Sequence, residues 1–141
     1  MRLPLLIVSL FLLILLSVLP SHAQHRVALV IGNSAYRNVT RLPNTENDAT
    51  DIAAAFQRLG FSVRTLHNAT FDDMRRALLL FGRDARGADM AVVFFAGHGM
   101  EIGGENWLIP VDAELRSDRD AENEAISLKS AMLQVATSQG P

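Results

Sequence analysis

The stretch Met90-Ala91-Val92-Val93-Phe94-Phe95-Ala96-Gly97-His98-Gly99-Met100 decides the fold. Six apolar residues, Met90 to Phe95, run without a polar interruption, which suits a central parallel strand buried on both faces rather than a half-solvated one. The run stops at Ala96-Gly97-His98-Gly99. In an open α/β sheet, ligands bind outside the carboxyl ends of the strands, so a histidine placed there faces a crevice. Glycine on each side leaves the imidazole accessible and lets backbone N–H groups come close to it. A lone histidine at a strand end is also often a satisfied polar residue in a turn, and spacing alone does not separate the two readings.

Upstream, Arg26 to Ile31 is a second buried strand, rich in Val, Leu and Ile and ended by Gly32-Asn33-Ser34. After a loop over Tyr36 to Pro43, Asn44 is placed to cap a helix whose Ala49, Ile52, Ala53, Phe56 and Leu59 form one apolar stripe. Gly60 stops it and Phe61 folds back behind it. Ser62 to Leu66 alternates and reads as a short, more exposed strand, with His67 a surface residue at its end. Thr70 and Asp73 have the spacing of a capping box. They open a second helix that buries Phe71, Met74, Leu78, Phe81 and Ala85. Arg75, Arg76, Arg83 and Arg86, interleaved with Asp72, Asp73 and Asp84, form its solvated side.

Gly87 ends that helix, so the order is strand, helix, strand, helix, strand. Such alternation predicts a parallel sheet with right-handed crossovers and helices on its faces. Beyond His98, Met100 to Ile102 and Glu105 to Ile109 predict a small hairpin turning at Gly103-Gly104, with Trp107 over the sheet edge or the hairpin base. Pro110 to Asn123 is acidic and reads as a solvated loop; it contains no calcium-loop signature. Ser127 is expected to cap a third helix with Leu128, Ala131, Met132 and Val135 buried, stopped by Gly140-Pro141.

A formal charge of −2 over 141 residues argues against a nucleic-acid footprint or a polybasic membrane patch. The positive mean hydropathy comes largely from the first twenty residues. Leu3 to Leu19 is apolar apart from Pro4, Ser9 and Ser17, and Ser21-His22-Ala23 is a small-x-small site, so Met1–Ala23 reads as a signal peptide. The competing reading is an uncleaved anchor. Either way Gln24–Pro141 is exported, periplasmic or secreted, and suffices for one domain. After cleavage no stable membrane association is expected. With no cysteine, no disulfide can hold that domain together. Neither G-x-x-x-x-G-K-[ST] nor G-x-G-x-x-G occurs, which counts against a nucleotide cofactor, and G-x-S-x-G is absent too, since Tyr36 stands where its second Gly would be. No cofactor and no metal enter this reading.

The FFAGHG strand end, together with Arg26-Val27-Ala28-Leu29-Val30-Ile31-Gly32-Asn33 and Pro43-Asn44-Thr45-Glu46-Asn47-Asp48-Ala49, resembles the caspase-like cysteine peptidases of the C14 family, in particular the p20-type domain of bacterial relatives of metacaspases. The resemblance covers about Arg26 to Pro141, with three blocks in the right order. It implies a three-layer α/β/α fold with a mostly parallel sheet, and a cysteine endopeptidase acting on peptide or protein substrates through a Cys–His pair. His98 takes the histidine's place, and the backbone N–H of Gly99 that of one oxyanion donor. Asp48 falls where these enzymes carry an acidic residue lining the pocket for the side chain before the cut, which implies cleavage after Arg or Lys. Asp48 and Glu46 also lie in a first helical turn, where the helix dipole favours carboxylates. The two roles are compatible for Asp48. Ala96 departs from the pattern: metacaspases often have Ser there, lining the same pocket.

The resemblance places the cysteine in an Asp-Ala-Cys-Arg-like segment on the strand after the third helix, and this sequence stops before it. Two explanations are open. The chain is the amino-terminal portion of a longer product, truncated before the strand that carries the nucleophile, or it is a short protein that has lost it. The first is preferred, because the missing strand should pair beside Met90 to Phe95, and an open apolar edge invites aggregation. The second implies a catalytically inactive caspase-like module that binds peptides or proteins.

Overall fold

In the computed structural model, residues 24–136 are described; the expected signal peptide and the Gly140-Pro141 helix stop lie outside them. A parallel sheet forms the middle layer. Strand β1 (Arg26–Gly32) is flanked by β2 (Ser62–His67) and β3 (Met90–Ala96), in the order β2-β1-β3. Val27 pairs with Ser62 on one side and Ala91 on the other, and Gly32 with His67 and Ala96, so the three carboxyl ends are level.

Helix α1 (Thr45–Arg58) covers one face, packing Ala49 and Ala53 on Val30 with Phe56, Val63 and Phe94 around them. Helices α2 (Phe71–Asp84) and α4 (Leu128–Ala136) cover the other, where Val27, Leu29 and Ile31 meet Met74, Leu78, Phe81, Ala131 and Val135. Alternate residues of β1 thus feed opposite layers, as a two-sided buried strand must. The expected three-layer caspase-like α/β/α arrangement is found.

Local chemistry explains most element ends. At α2 the capping box forms in full: the Asp73 N–H donates to Thr70 Oγ1 (3.3 Å), and the Thr70 N–H donates to the Asp73 carboxylate (3.2 Å). Gly60, at φ +82°, ends the α1 segment, and Phe61 turns back onto Phe56 with ring centroids 5.0 Å apart. At α1 the expectation fails. Asn44 precedes the helix but its side chain makes no cap, and Thr45 Oγ1 instead donates to the Asn33 carbonyl (2.8 Å), tying the helix start to the end of β1. The approach is close: a Cβ at Gly32 would lie 2.6 Å from both Thr45 O and Ala49 Cβ.

A second, antiparallel sheet follows β3. Strands β4 (Gly99–Ile102) and β5 (Glu105–Leu108) form the expected hairpin, turning through Gly103 and Gly104 at φ +61° and +81°. The two-residue strand β6 (Ile126–Ser127) completes the order β4-β5-β6. Trp107 packs with the small cluster of Tyr36, Ile109, Val111, Ala113 and Ala125 at the hairpin base. Between β5 and β6 a 3-10 turn (Asp118–Asp120) leads into a one-turn helix α3 (Ala121–Glu124).

Three expectations are corrected. The acidic segment is not merely solvated: Asp112 accepts the Phe71 N–H at the start of α2 (2.9 Å), and Glu124 accepts the N–H groups of Glu114 (2.7 Å) and Leu115 (2.9 Å). The apolar stripes over-run their helices, for Leu59 is 60% and Met132 55% exposed, with Leu128 also at the surface. Strand β3 lies at the sheet edge among the described residues, and its side chains are half-buried rather than enclosed. Among those residues no helix is long and apolar enough to cross a membrane, and no group of three or more His, Asp or Glu is placed to hold a metal ion.

Candidate active site

His98 stands in the turn between β3 and β4, at the carboxyl end of the parallel sheet. The sheet reaches it because the Asn33 N–H, one residue past β1, donates to the Ala96 carbonyl (2.8 Å), extending the ladder to the strand ends. Gly97 leaves room for two rings: a Cβ there would fall 2.5 Å from Tyr36 Oη and 2.6 Å from a Phe95 ring carbon, so a side chain would push one of them aside.

The imidazole is half-buried, and its Nε2 lies 2.8 Å from the Thr40 carbonyl oxygen. A carbonyl can only accept, so Nε2 carries the proton and the neutral ring keeps its lone pair on Nδ1. Nδ1 has no partner among the described residues. The ring also meets Tyr36 edge to face, with centroids 4.6 Å apart and planes at 61°.

The loop bearing Thr40 is fixed at several points. Ser34 accepts the Leu42 N–H on its carbonyl (3.1 Å) and donates its hydroxyl to the Leu42 carbonyl. The Arg37 N–H reaches Val111 O (2.9 Å), and Asn38 Nδ2 reaches Ala113 O (3.0 Å). Asn68, in the left-handed region at φ +51°, accepts the N–H groups of Ser34 (2.9 Å) and Ala35 (2.8 Å) on one amide oxygen. Asn33, fully buried, holds the floor: its Nδ2 donates to Ile109 O (3.2 Å) and its Oδ1 accepts the Ala69 N–H (2.8 Å). Tyr36 is buried and its pKa is raised, chiefly by desolvation and against the opposing effect of its bonds with the His98 backbone and Asn33. The phenol therefore stays neutral, able to donate and accept at once.

Of the residues singled out in the sequence, His98 and Gly99 are adjacent, with Gly99 exposed at the start of β4, paired with Leu108. Asp48 is exposed in the first turn of α1, above Gly32 and so at the same end of the sheet as His98; among the described residues its side chain has no hydrogen-bond or ion-pair partner. Ala96 supplies its carbonyl, not a side chain. Thr40, Tyr36 and Asn68 carry no recognisable motif, and Asn33, though it ends one of the resembling blocks, has no role of its own in that resemblance. Thr40 in particular acts through its backbone, which no residue type announces.

The caspase domain family of peptidases, Peptidase_C14, matches residues 25–136, and the chain belongs to that family. It is 35% identical over 95 residues to the human mucosa-associated lymphoid tissue lymphoma translocation protein 1, an alignment taking in 64% of this chain and 11% of the human protein. With horse caspase-1 it shares 31% identity over 85 residues, 59% of this chain and 21% of that protein. The chain thus matches only a small part of the length of these relatives. Among solved structures, the Drosophila initiator caspase Dronc superposes with a TM-score of 0.60 at 17% identity, covering 78% of this chain and 42% of that one, a likeness of fold.

Proposed function

We propose that residues 24–141 are the histidine-bearing portion of an exported caspase-like cysteine endopeptidase that acts on peptides or proteins. The observation that carries this reading is the state of His98: one ring nitrogen is committed to the Thr40 carbonyl and the other is left unpartnered at the end of a parallel strand. A ring held this way takes a thiol proton onto Nδ1 and returns it to the leaving amine, while Nε2–H anchors its orientation. The Thr40 carbonyl also stabilises the imidazolium formed between the two transfers. The N–H of Gly99, with no side chain in the way, is the proposed donor to the developing oxyanion. Asp48, exposed at the same sheet end, favours Arg or Lys before the cut through a charge-assisted pair. The thiol must come from a cysteine outside this sequence, which contains none. That same count favours the second reading, a caspase-like module that binds peptides without cleaving them.

Mass spectrometry of the product of the native gene, followed by assay on fluorogenic peptides ending in Arg, Lys or Asp, separates the two. A cysteine-containing product that cleaves after Arg or Lys, and stops doing so on His98→Ala, supports the peptidase. Asp48→Ala should then lower cleavage after Arg and Lys about tenfold or more, with a smaller effect on other residues. A cysteine-free product that binds these peptides intact points to the binding module.

A further inference from the structure

The main chain of His98 is clasped on both sides by one closed ring of hydrogen bonds. The His98 N–H donates to Tyr36 Oη (2.8 Å), and the Tyr36 hydroxyl donates to the Ile109 carbonyl (3.0 Å). The Ile109 N–H donates back to the His98 carbonyl (3.0 Å), closing the circuit. Tyr36 is the one side chain in it, and the same phenol ring lies edge to face against the imidazole. The Tyr36 hydroxyl accepts one hydrogen bond and donates the next, so these two strengthen each other and both depend on that one oxygen. Ile109 is fixed in turn by Asn33 Nδ2 (3.2 Å), which connects the circuit to the end of β1. Gly97 is what allows it, since any side chain there would collide with Tyr36 Oη.

We propose that Tyr36 is the positioning residue of His98: it holds the backbone and ring so that Nε2 stays on the Thr40 carbonyl and Nδ1 remains the nitrogen that exchanges protons. The inference rests on the reading of His98 as the proton-transfer group. A phenylalanine would fill the same space but could neither accept the His98 N–H nor donate to Ile109, so the hydroxyl is the discriminating atom. Burial keeps that hydroxyl un-ionised, as the double role of donor and acceptor requires.

The test uses the 141-residue chain, labelled with 15N, and does not depend on turnover. The parent should show the His98 imidazole largely in its Nε2–H form and a protected His98 amide. In Tyr36→Phe the ring should become a mixture of tautomers and the His98 amide should exchange about tenfold faster or more, while Leu29 and Val30 in β1 change by less than about threefold. Gly97→Ala, which displaces the phenol without removing it, should move the same two signals in the same direction. An unchanged tautomer and amide in a folded Tyr36→Phe protein would overturn the proposal.

In a cysteine-containing, active form, Tyr36→Phe should lower kcat about tenfold or more with KM nearly constant, because the substrate is not touched. Unchanged kcat there, alongside an altered ring, would overturn the role in positioning for catalysis. If the parent form itself fails to cleave, the peptidase reading falls, while the NMR result still decides whether Tyr36 orients His98.

Discussion

Strands β1 and β3 have the same length and nearly the same apolarity, RVALVIG against MAVVFFA, yet they live in different surroundings. Val27 to Ile31 of β1 are at most 3% exposed, with a strand on each side and a helix layer on each face. The side chains of β3 are half-buried, and Met90 is 49% exposed. Apolarity states the environment a strand needs; neighbours decide the environment it has. The division of labour follows, since β1 is the structural axis and β3 delivers the histidine.

The sharpest way to break this comparison is at the end of β3. In an active, cysteine-containing form, His98→Ala should reduce kcat roughly 100- to 10,000-fold, the usual contribution of a general acid–base group, and leave thermal stability nearly unchanged. A large fall in melting temperature would show that the end of β3 is structural after all. Within the strands, Leu29→Ala in β1 should cost about 2–5 kcal/mol in denaturant unfolding, whereas Val93→Ala on the same sheet face of β3 should cost about 1 kcal/mol, because less surface leaves water there. Equal losses would mean that β3 is enclosed in solution. Gly32→Ala should cost about 1–3 kcal/mol by forcing α1 off the end of β1, as Thr45 O is backbone and cannot step aside.

The smallest expected effect lies away from both strands. Thr70→Ala should destabilise by about 1 kcal/mol through loss of the α2 cap. The Thr70 side-chain and backbone bonds to Asp73 hold its carboxyl below the ordinary aspartate range. A depressed carboxyl contributes its stability above the unfolded-state pKa and loses it as pH falls through the folded one. The gap between parent and Thr70→Ala should therefore narrow on acidification into that range, and only slightly, because Asp73 is solvent-exposed. A gap that widens would remove Asp73 from the cap.

How much was legible follows from which interactions are local. The α2 capping box, the Gly103-Gly104 turn and the two-sided burial of β1 are written in contiguous residues, and each was found where the pattern places it. Leu59, Leu128 and Met132 fit helical stripes but lie exposed, since periodicity gives a face and not the extent of what that face meets. Asn44 makes no side-chain cap, and the start of α1 is tied down by the Thr45 hydroxyl donating to Asn33 O, 12 residues away in sequence. The segment around Asp112 and Glu114 looked like solvated charge because its bonds to the Phe71 N–H and to the Glu124 carboxylate are set by tertiary folding. At the site, His98 was visible from its glycine frame. The clasp around it was not, because Tyr36 lies 62 residues from His98 and 73 from Ile109 along the chain, and no local pattern brings the three together.

The partner of the imidazole being a main-chain carbonyl has a consequence for mutational tolerance. Position 40 can change its side chain without losing the contact, so a saturation library there should be largely neutral. Constraint falls instead on the positions that shape the path of the loop, above all Ser34 and Asn68, which never touch the histidine. A deep mutational scan would then place the intolerant positions some distance from the atom they control.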